Sequence, residues 1–348
     1  HIAFGPMPAD VVDVVAELAV GGPAVCALRA LSRVTGGVDA FADGDVRDAA
    51  HHVAQGLRTL FNKPEIVALV RAQDDASYWR AALSHCVTGG LQPVLDEYAH
   101  LLVESEGLQD SDRTERASRV AERMVEALSM RTAMNVVEDI RVVDDQVRRE
   151  DHRIGSHFAA RYGRTQHDDK TAQRESHIRT SFNSPFRPFV LASTSVGQEG
   201  LDFHTYSHAI VHWNLPHNPV DLEQREGRVH RYKGHAVRKN VAADFGSAAL
   251  DESFDDPWAG VFAAAVDAVA GTGSDITPFW VYTRPDGAVI ERYVPAMPLS
   301  RETQRYEQLQ RSVGAYRMVI GQPRQDDLIK YVGADGDWMR IDLAPRQE

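Results

Sequence analysis

The sequence predicts an α/β protein, in which a parallel sheet with flanking helices follows an all-helical module and precedes a small α+β region. After Asn135, short β-branched runs alternate with helical stretches, an order typical of parallel strands joined by crossover helices. Residues 189–192 form a short continuous apolar run, as expected for a central strand covered on both faces. Between residues 46 and 130 the apolar positions recur at helical spacing instead.

The N-terminal part of the chain is predicted to be helical. Val53, Leu57 and Leu60 share one helical face, so a packed bundle is the simplest interpretation of this part. At 348 residues the chain has room for two or three folded domains besides connecting segments. The predicted boundaries are 1–45 for a connector, 46–130 for the helical bundle, 131–245 for the α/β lobe and 246–348 for the α+β region.

The later elements are predicted from local patterns and turn residues. In the α/β lobe we expect strands at 136–143, 189–192 and 208–213, a helix at 170–182 and another from Pro219. In the C-terminal region we expect a helix at 258–270, a hairpin of strands 279–283 and 288–294, and a helix at 301–319. The hairpin prediction rests on the turn residues Pro285, Asp286 and Gly287.

Composition excludes several classes of protein. Two cysteines are too few for a disulfide-rich secreted scaffold. The longest apolar stretches, such as 261–270, are shorter than the roughly 20 residues of a membrane helix, and we expect a cytoplasmic protein without membrane contact. The net charge of −12 argues against non-specific wrapping of nucleic acid. Residues 225–239 nevertheless carry six Lys or Arg against the single Glu226, so one basic region could face phosphate groups.

Hydroxyl residues and glycines follow the strand predicted at 189–192. Thr194 and Ser195 come shortly after this strand, and Gly197 and Gly200 come next. Such residues place hydroxyls and backbone N–H groups at the carboxyl edge of a sheet, where open α/β sheets bind ligands. The sequence therefore predicts a phosphate-binding loop at this edge.

Three arginines follow in the helix predicted from Pro219. Arg225, Arg228 and Arg231 are spaced by three, so a continuous helix would place them along one stripe, where they repel one another unless an anion faces them. Gly227 would cost such a helix about 1 kcal/mol relative to alanine. We therefore expect a ligand to approach this face closely.

These two segments together resemble a known family. The run STSVGQEGLDF at 193–203, followed by QREGRVHR at 224–231, resembles motifs V and VI of the superfamily-two helicases and translocases, and most closely their Swi/Snf-like branch. The resemblance covers about residues 135–245 and implies the second RecA-like lobe of such an enzyme.

The resemblance implies a role for each matching residue. ATP binds between two RecA-like lobes in this family, and the second lobe supplies arginine fingers to the transferring phosphoryl group. By position, Arg228 and Arg231 are the fingers. The residues expected at the ATP are Gly197, Gly200, Asp202, Gln224 and Arg225, and those expected at the nucleic-acid backbone are Thr194 and Ser195, for which helix capping is the alternative.

One departure from the family pattern limits the expected activity. None of the five lysines lies in the P-loop pattern GxxxxGK[ST], which the first RecA-like lobe carries in this family. That lobe would hold most of the ATP and its Mg²⁺, and we expect it to be supplied in cis or in trans. This chain alone should not hydrolyse ATP. The branch resemblance favours duplex DNA as the track. The alternative is a non-catalytic protein-interaction module that retains a relic helicase lobe.

Histidine spacing offers a weaker signal. His204, His208 and His212 are spaced by four, which would align them for a metal on a helix. Residues 208–213 are predicted to form a strand, on which residues four apart lie about 13 Å apart. We therefore expect no metal site here.

Overall fold

A computed structural model describes residues 7–71, 77–130, 134–143, 146–155, 159–162, 169–193, 202–250, 256–271, 276–295 and 299–319. The chain divides into two compact units, His1–Glu199 and Gly200–Glu348. This division falls inside the α/β lobe predicted at 131–245, while the predicted boundaries at 45, 130 and 245 stay predictions.

The first unit begins with seven α-helices in its described part. They are α1 (Val11–Gly21), α2 (Pro23–Thr35), α3 (Gly44–Phe61), α4 (Pro64–Arg71), α5 (Tyr78–His85), α6 (Gln92–Ser105) and α7 (Arg113–Leu128). Aspartates begin two of them: the side chain of Asp43 accepts the N–H of Asp45, and that of Asp112 accepts the N–H of Glu115. The predicted helical character of residues 46–130 is confirmed for the described residues.

The core of this unit forms where α2, α3, α6 and α7 pack together. Leu31, Leu57, Leu95 and Leu128 are fully or almost fully buried there. Gly56 permits the close approach of α3 to α7, because a Cβ at this position would lie 2.9 Å from Leu128 Cδ1. Since Leu31 belongs to α2, residues from the segment predicted as a connector contribute to this core.

Two arginines of α7 satisfy the carbonyl groups at the C-terminal end of α2. Arg113 Nε donates to Thr35 O at 2.8 Å, and Arg116 Nη1 donates to Val34 O at 3.0 Å. The Arg116 guanidinium also donates to Leu108 O at 2.9 Å and to two further carbonyls of the 109–111 turn. A cation at a helix C-terminus is favourable, because the unpaired carbonyls carry partial negative charge.

One apolar stretch is longer than the sequence analysis recognised. Val11–Thr35 is, by length and composition, the one candidate for a membrane-crossing helix among the described residues. Gly22 interrupts it, because the backbone at this residue is extended, with ψ of 146°. Seven residues of α2 are buried in the helical core, whereas 22% of the apolar window as a whole is buried.

Strands follow in the first unit, but they do not form one sheet. Their bounds are β1 (Met134–Val143), β2 (Gln146–Gly155), β3 (Ala159–Tyr162) and β4 (Val190–Ser193), with α8 (Asp169–Phe182) before β4. β1 pairs with β2 in antiparallel register, which corrects its prediction as a strand of the parallel sheet; only two residues separate the two strands, so they form a hairpin. β4 corresponds to the strand predicted at 189–192 and pairs in parallel with β3, a strand that was not predicted.

The apolar strand β4 is not the covered strand that its sequence predicts. Val190 is 58% exposed, and Phe189 just before it is also exposed. β3 is the one strand paired with β4 in the described part of the chain, so this sheet has two strands where a central strand needs two neighbours.

The second unit contains four α-helices and two strands in its described part. They are β5 (Ala209–Val211), α9 (Pro219–Gly227), α10 (His235–Phe245), α11 (Pro257–Val269), β6 (Glu291–Tyr293) and α12 (Glu302–Val319). Val241 of α10 and Phe262 of α11 centre one core cluster, and Leu222 of α9 packs with Leu309 of α12 in a second. The helices predicted at 258–270 and 301–319 are confirmed.

The hairpin predicted at 279–294 is wrong. Residues 291–293 form β6, which pairs in parallel with β5, so that Ile210 faces Arg292 in the register. The buried Asn240 side chain lies between the two segments of the expected hairpin. It donates to Tyr282 O and Ala288 O, both at 2.9 Å, and accepts the N–H of Ala288 at 2.6 Å. The amide of Asn240 thus bonds backbone groups that the hairpin would have paired with each other.

Candidate functional site

The arginine segment, residues 224–231, begins in a helix and ends in a turn. α9 starts at Pro219, where the side chain of Asn218 accepts the N–H of Val220 at 2.9 Å, and it ends at Gly227. The prediction of a continuous helix through Arg231, with three arginines on one stripe, is therefore wrong. The reason is local: the carbonyl of Glu226 accepts the N–H groups of Arg228, Val229 and His230, which tightens the chain into a turn.

The surroundings of Gly227 are open. A Cβ built at this glycine meets no atom within 4 Å among the described residues. The described residues therefore do not make the close approach that the sequence suggests, and they leave space beside the turn for a ligand.

Asp202 lies beside the arginine segment. Its Oδ1 accepts a hydrogen bond from Arg231 Nε at 2.6 Å. The neighbouring N–H of Phe203 donates to the carbonyl of Arg228 at 2.8 Å, and the Phe203 side chain is buried. The Arg231 and Asp202 side chains are 39% and 47% exposed, so their ion pair contributes at most about 1 kcal/mol. Two of the residues predicted to face ATP are therefore joined directly.

The other two described ATP-site candidates differ in their surroundings. Arg225 Nη1 donates to Asn214 O at 2.8 Å, which ties α9 to the loop after β5. Gln224 is exposed to solvent. The remaining candidates, Gly197, Gly200, Thr194 and Ser195, lie outside the described residues, so their predicted roles stay predictions.

Glu226 is a functional candidate that the sequence analysis overlooked. The Glu226 side chain is 17% exposed. Its carboxylate lies 2.8 Å from Arg292 Nε and 3.4 Å from His212 Nε2. Burial alone would raise the pKa of Glu226, but His212 and the Arg292 charge outweigh burial and hold this pKa below its ordinary value. Glu226 is the one acid in the basic run at 225–239, a signal that could have drawn attention to it.

The predicted histidine cluster is spread over two environments. His212 is buried against Glu226, whereas the His208 ring stacks on His235 with centroids 5.3 Å apart. Burial, together with the nearby Arg238 charge, lowers the pKa of His235 to about 4. Burial also lowers the pKa of His204. In the described part of the chain, no group of three or more His, Cys, Asp or Glu is arranged to hold a metal ion.

Comparison with known families finds a match to one segment of the chain. A family model described as the helicase conserved C-terminal domain matches residues 118–233. This segment is similar to the C-terminal lobe of helicases. The match begins in α7, includes Asp202 and the whole arginine segment, and ends at Lys233. No curated protein and no solved structure was found to match the chain.

The helicase match agrees with the described fold at a coarse level. Helicase C-terminal domains have a RecA-like α/β fold and occur in ATP-dependent enzymes that bind nucleic acid. In the matched range, the β3–β4 pair is parallel and α8 lies between the two strands in sequence, which is the βαβ order of an α/β fold.

Proposed function

We propose that this chain supplies the second RecA-like lobe of an ATP-dependent nucleic-acid helicase or translocase of the Swi/Snf-like type. The observation that carries the proposal is the joining of Asp202 and Phe203 to the turn of Arg228 and Arg231, within a segment that matches the helicase C-terminal domain. ATP with Mg²⁺ is the substrate, held mainly by a P-loop lobe in cis or in trans, and duplex DNA is the proposed track.

The two arginines act on the phosphoryl group as it is transferred. Negative charge spreads over its oxygens in the transition state, and a planar guanidinium matches that charge with two parallel N–H donors. Arg228 sits at the end of α9 and Arg231 in the following turn, beside the open space at Gly227. Asp202 holds Arg231 in an exposed pair that a phosphate oxygen can compete with.

The neighbouring residues bind rather than react. Gln224, exposed at the end of α9, and Arg225, held on Asn214, border the ATP side of the arginine segment. Gly197 and Gly200 would let the backbone approach the nucleotide, and Thr194 and Ser195 would hold phosphates of the nucleic-acid backbone without reading its sequence.

ATP hydrolysis tests this proposal, measured with the chain joined to a P-loop lobe. We expect hydrolysis that duplex DNA stimulates and that Arg228→Ala or Arg231→Ala each lowers by about 10³- to 10⁵-fold, the range known for arginine fingers. Lys239→Ala is the matched control, because Lys239 is an exposed cation of the same basic region. It should leave the rate within about twofold, since it makes no proposed phosphate contact.

Three outcomes of this assay would correct the proposal or favour its alternative. Stimulated hydrolysis that survives in both arginine variants would refute the finger assignment. Unsubstituted protein that shows no nucleic-acid-stimulated hydrolysis would favour the interaction module with a relic lobe. Stimulation by RNA but not by duplex DNA would correct the proposed track.

A further inference from the structure

The 276–295 segment, which lies beyond the helicase match, is bonded to the arginine segment and the residues just after it. The ring of His230 is 2.9 Å from Trp280 O through Nε2, and the N–H of Lys233 donates to Phe279 O at 2.7 Å. At the other end of the segment, Arg292 pairs with Glu226. Both ends of the turn that carries Arg228 and Arg231 are therefore held by residues outside the helicase match, which ends at Lys233; the most distant of them, Arg292, lies 59 positions later.

Glu226 connects Arg292 to the turn itself. Its main-chain carbonyl accepts hydrogen bonds from the N–H groups of Arg228, Val229 and His230. Its largely buried carboxylate pairs with Arg292 Nε at 2.8 Å. The main chain and the side chain of one residue thus set the position of the turn. A displacement of Glu226 that reaches its main chain would carry the following N–H groups, and with them Arg228, along with it.

Arg292 is itself fixed by its strand. It lies in the middle of β6, opposite Ile210 of β5. The N–H of Glu291 donates to His208 O and the N–H of His212 donates to Tyr293 O, both at 2.8 Å, so the backbone is bonded on either side of Arg292. The main chain at Arg292 is therefore held in place, and its planar guanidinium loses less freedom per hydrogen bond than a lysine ammonium would.

We propose that Arg292 is a positioning residue for the arginine fingers, which it holds in place through the Glu226 carboxylate. The inference rests on the proposed function, since it assumes that Arg228 and Arg231 act on ATP. Removal of Arg292 leaves the largely buried Glu226 carboxylate without its guanidinium and with only His212 Nε2 at 3.4 Å, a situation that side chains relieve by moving. The C-terminal segment is on this view a working part of the ATPase lobe.

The matched control lies on the same segment. Arg284 pairs through Nε with Asp244 Oδ1 at 3.0 Å, and its side chain is 36% exposed against 45% for Arg292. Asp244 belongs to α10 and not to the arginine segment. Arg284→Gln therefore removes a comparable ion pair that does not reach the fingers.

The test is the ATPase of the chain joined to a P-loop lobe. We expect Arg292→Gln to lower kcat by about 10- to 100-fold, since displacements near 1 Å cost that much, with KM for ATP within about threefold because fingers act in the transition state. Arg292→Lys should restore part of kcat, since an ammonium keeps the charge. Glu226→Gln combined with Arg292→Gln should cost no more than either change alone, because both break one connection.

The outcomes distinguish this inference from the proposed function. Equal kcat in Arg292→Gln and Arg284→Gln would overturn the positioning role, as would losses that multiply in the double variant. Urea unfolding of the chain would show whether Arg292→Gln folds. If it does not, Arg292→Lys takes its place in the test. A kcat of Arg292→Lys equal to that of the unsubstituted protein would then overturn the positioning role, and a partial loss of kcat at unchanged KM would support it. If Arg228→Ala and Arg231→Ala keep full activity in the same assay, the finger assignment fails, and if the unsubstituted protein shows no nucleic-acid-stimulated hydrolysis, the proposed function itself fails.

Discussion

Replacement of Asn240 by alanine is the sharpest test of how the second unit is built. The Asn240 side chain is buried and makes three hydrogen bonds to the backbone of Tyr282 and Ala288. A typical buried hydrogen bond contributes about 1 kcal/mol net, so three of them amount to about 3 kcal/mol. We therefore expect Asn240→Ala to lower the free energy of unfolding of this unit by about 2–4 kcal/mol, because the orphaned backbone groups lack partners.

Urea unfolding with hydrogen exchange measures this effect. The amide of Ala288, which donates to Asn240 Oδ1, should exchange much faster in Asn240→Ala than in the unsubstituted protein. Asn240→Asp keeps an acceptor for this amide but loses both donors, so it should also destabilise the unit. Lys239→Ala, an exposed neighbour on α10, should stay within about 0.5 kcal/mol. A change of that small size in Asn240→Ala would refute the reasoning.

Three further predictions follow from individual contacts. Arg116→Lys should lower the free energy of unfolding by about 2 kcal/mol in urea titrations, because a lysine cannot bond all the carbonyls that this guanidinium bonds. Arg119→Lys, at an exposed position of the same helix, is the control and should leave the free energy of unfolding nearly unchanged. The pKa of His235 is about 4 in the folded protein and 6.5 ordinarily, so the stability that its neutral ring contributes is complete above pH 6.5 and falls toward pH 4. From pH 7 to 5 we expect this group to cost on the order of 1 kcal/mol after its partial exposure is taken into account, and His235→Gln should remove this part of the loss in paired titrations, while the part due to His204 remains. Gly227→Ala should leave stability unchanged or slightly raised, but lower ATP hydrolysis if a ligand occupies the open space; equal activity would show that this space is not used.

Local patterns predicted most of the helices, because helix formation depends on short-range spacing and capping. The start of α9 at Pro219 and the cap at Asp112 depend on neighbours within three residues. The end of α9 at Gly227 was not predicted, since the three-residue spacing of the arginines continues past it. The bonds of Glu226 O to the next N–H groups close the turn, and no periodic pattern reports them.

Strand pairing was predicted less well, because it depends on residues far apart in sequence. Residues 279–294 carry good turn residues for a hairpin, yet Asn240 bonds their backbone and β6 pairs with β5. β1 was assigned to the parallel sheet because a β-branched run fits either sheet, and its partner β2 decides the direction. Propensity identifies a strand but leaves its partner open.

The sequence by itself determined the helical character of residues 46–130 and, through two motifs, the helicase lobe that the comparison supports at a coarse level. Both are properties of residue order: periodicity sets helices, and phosphate chemistry requires certain side chains at fixed spacing. The tertiary structure alone brought Arg292 to Glu226 and Asp202 to Arg231. These pairs join residues 29 to 66 positions apart, and the energy that selects them comes from burial and strand pairing, which no local pattern encodes.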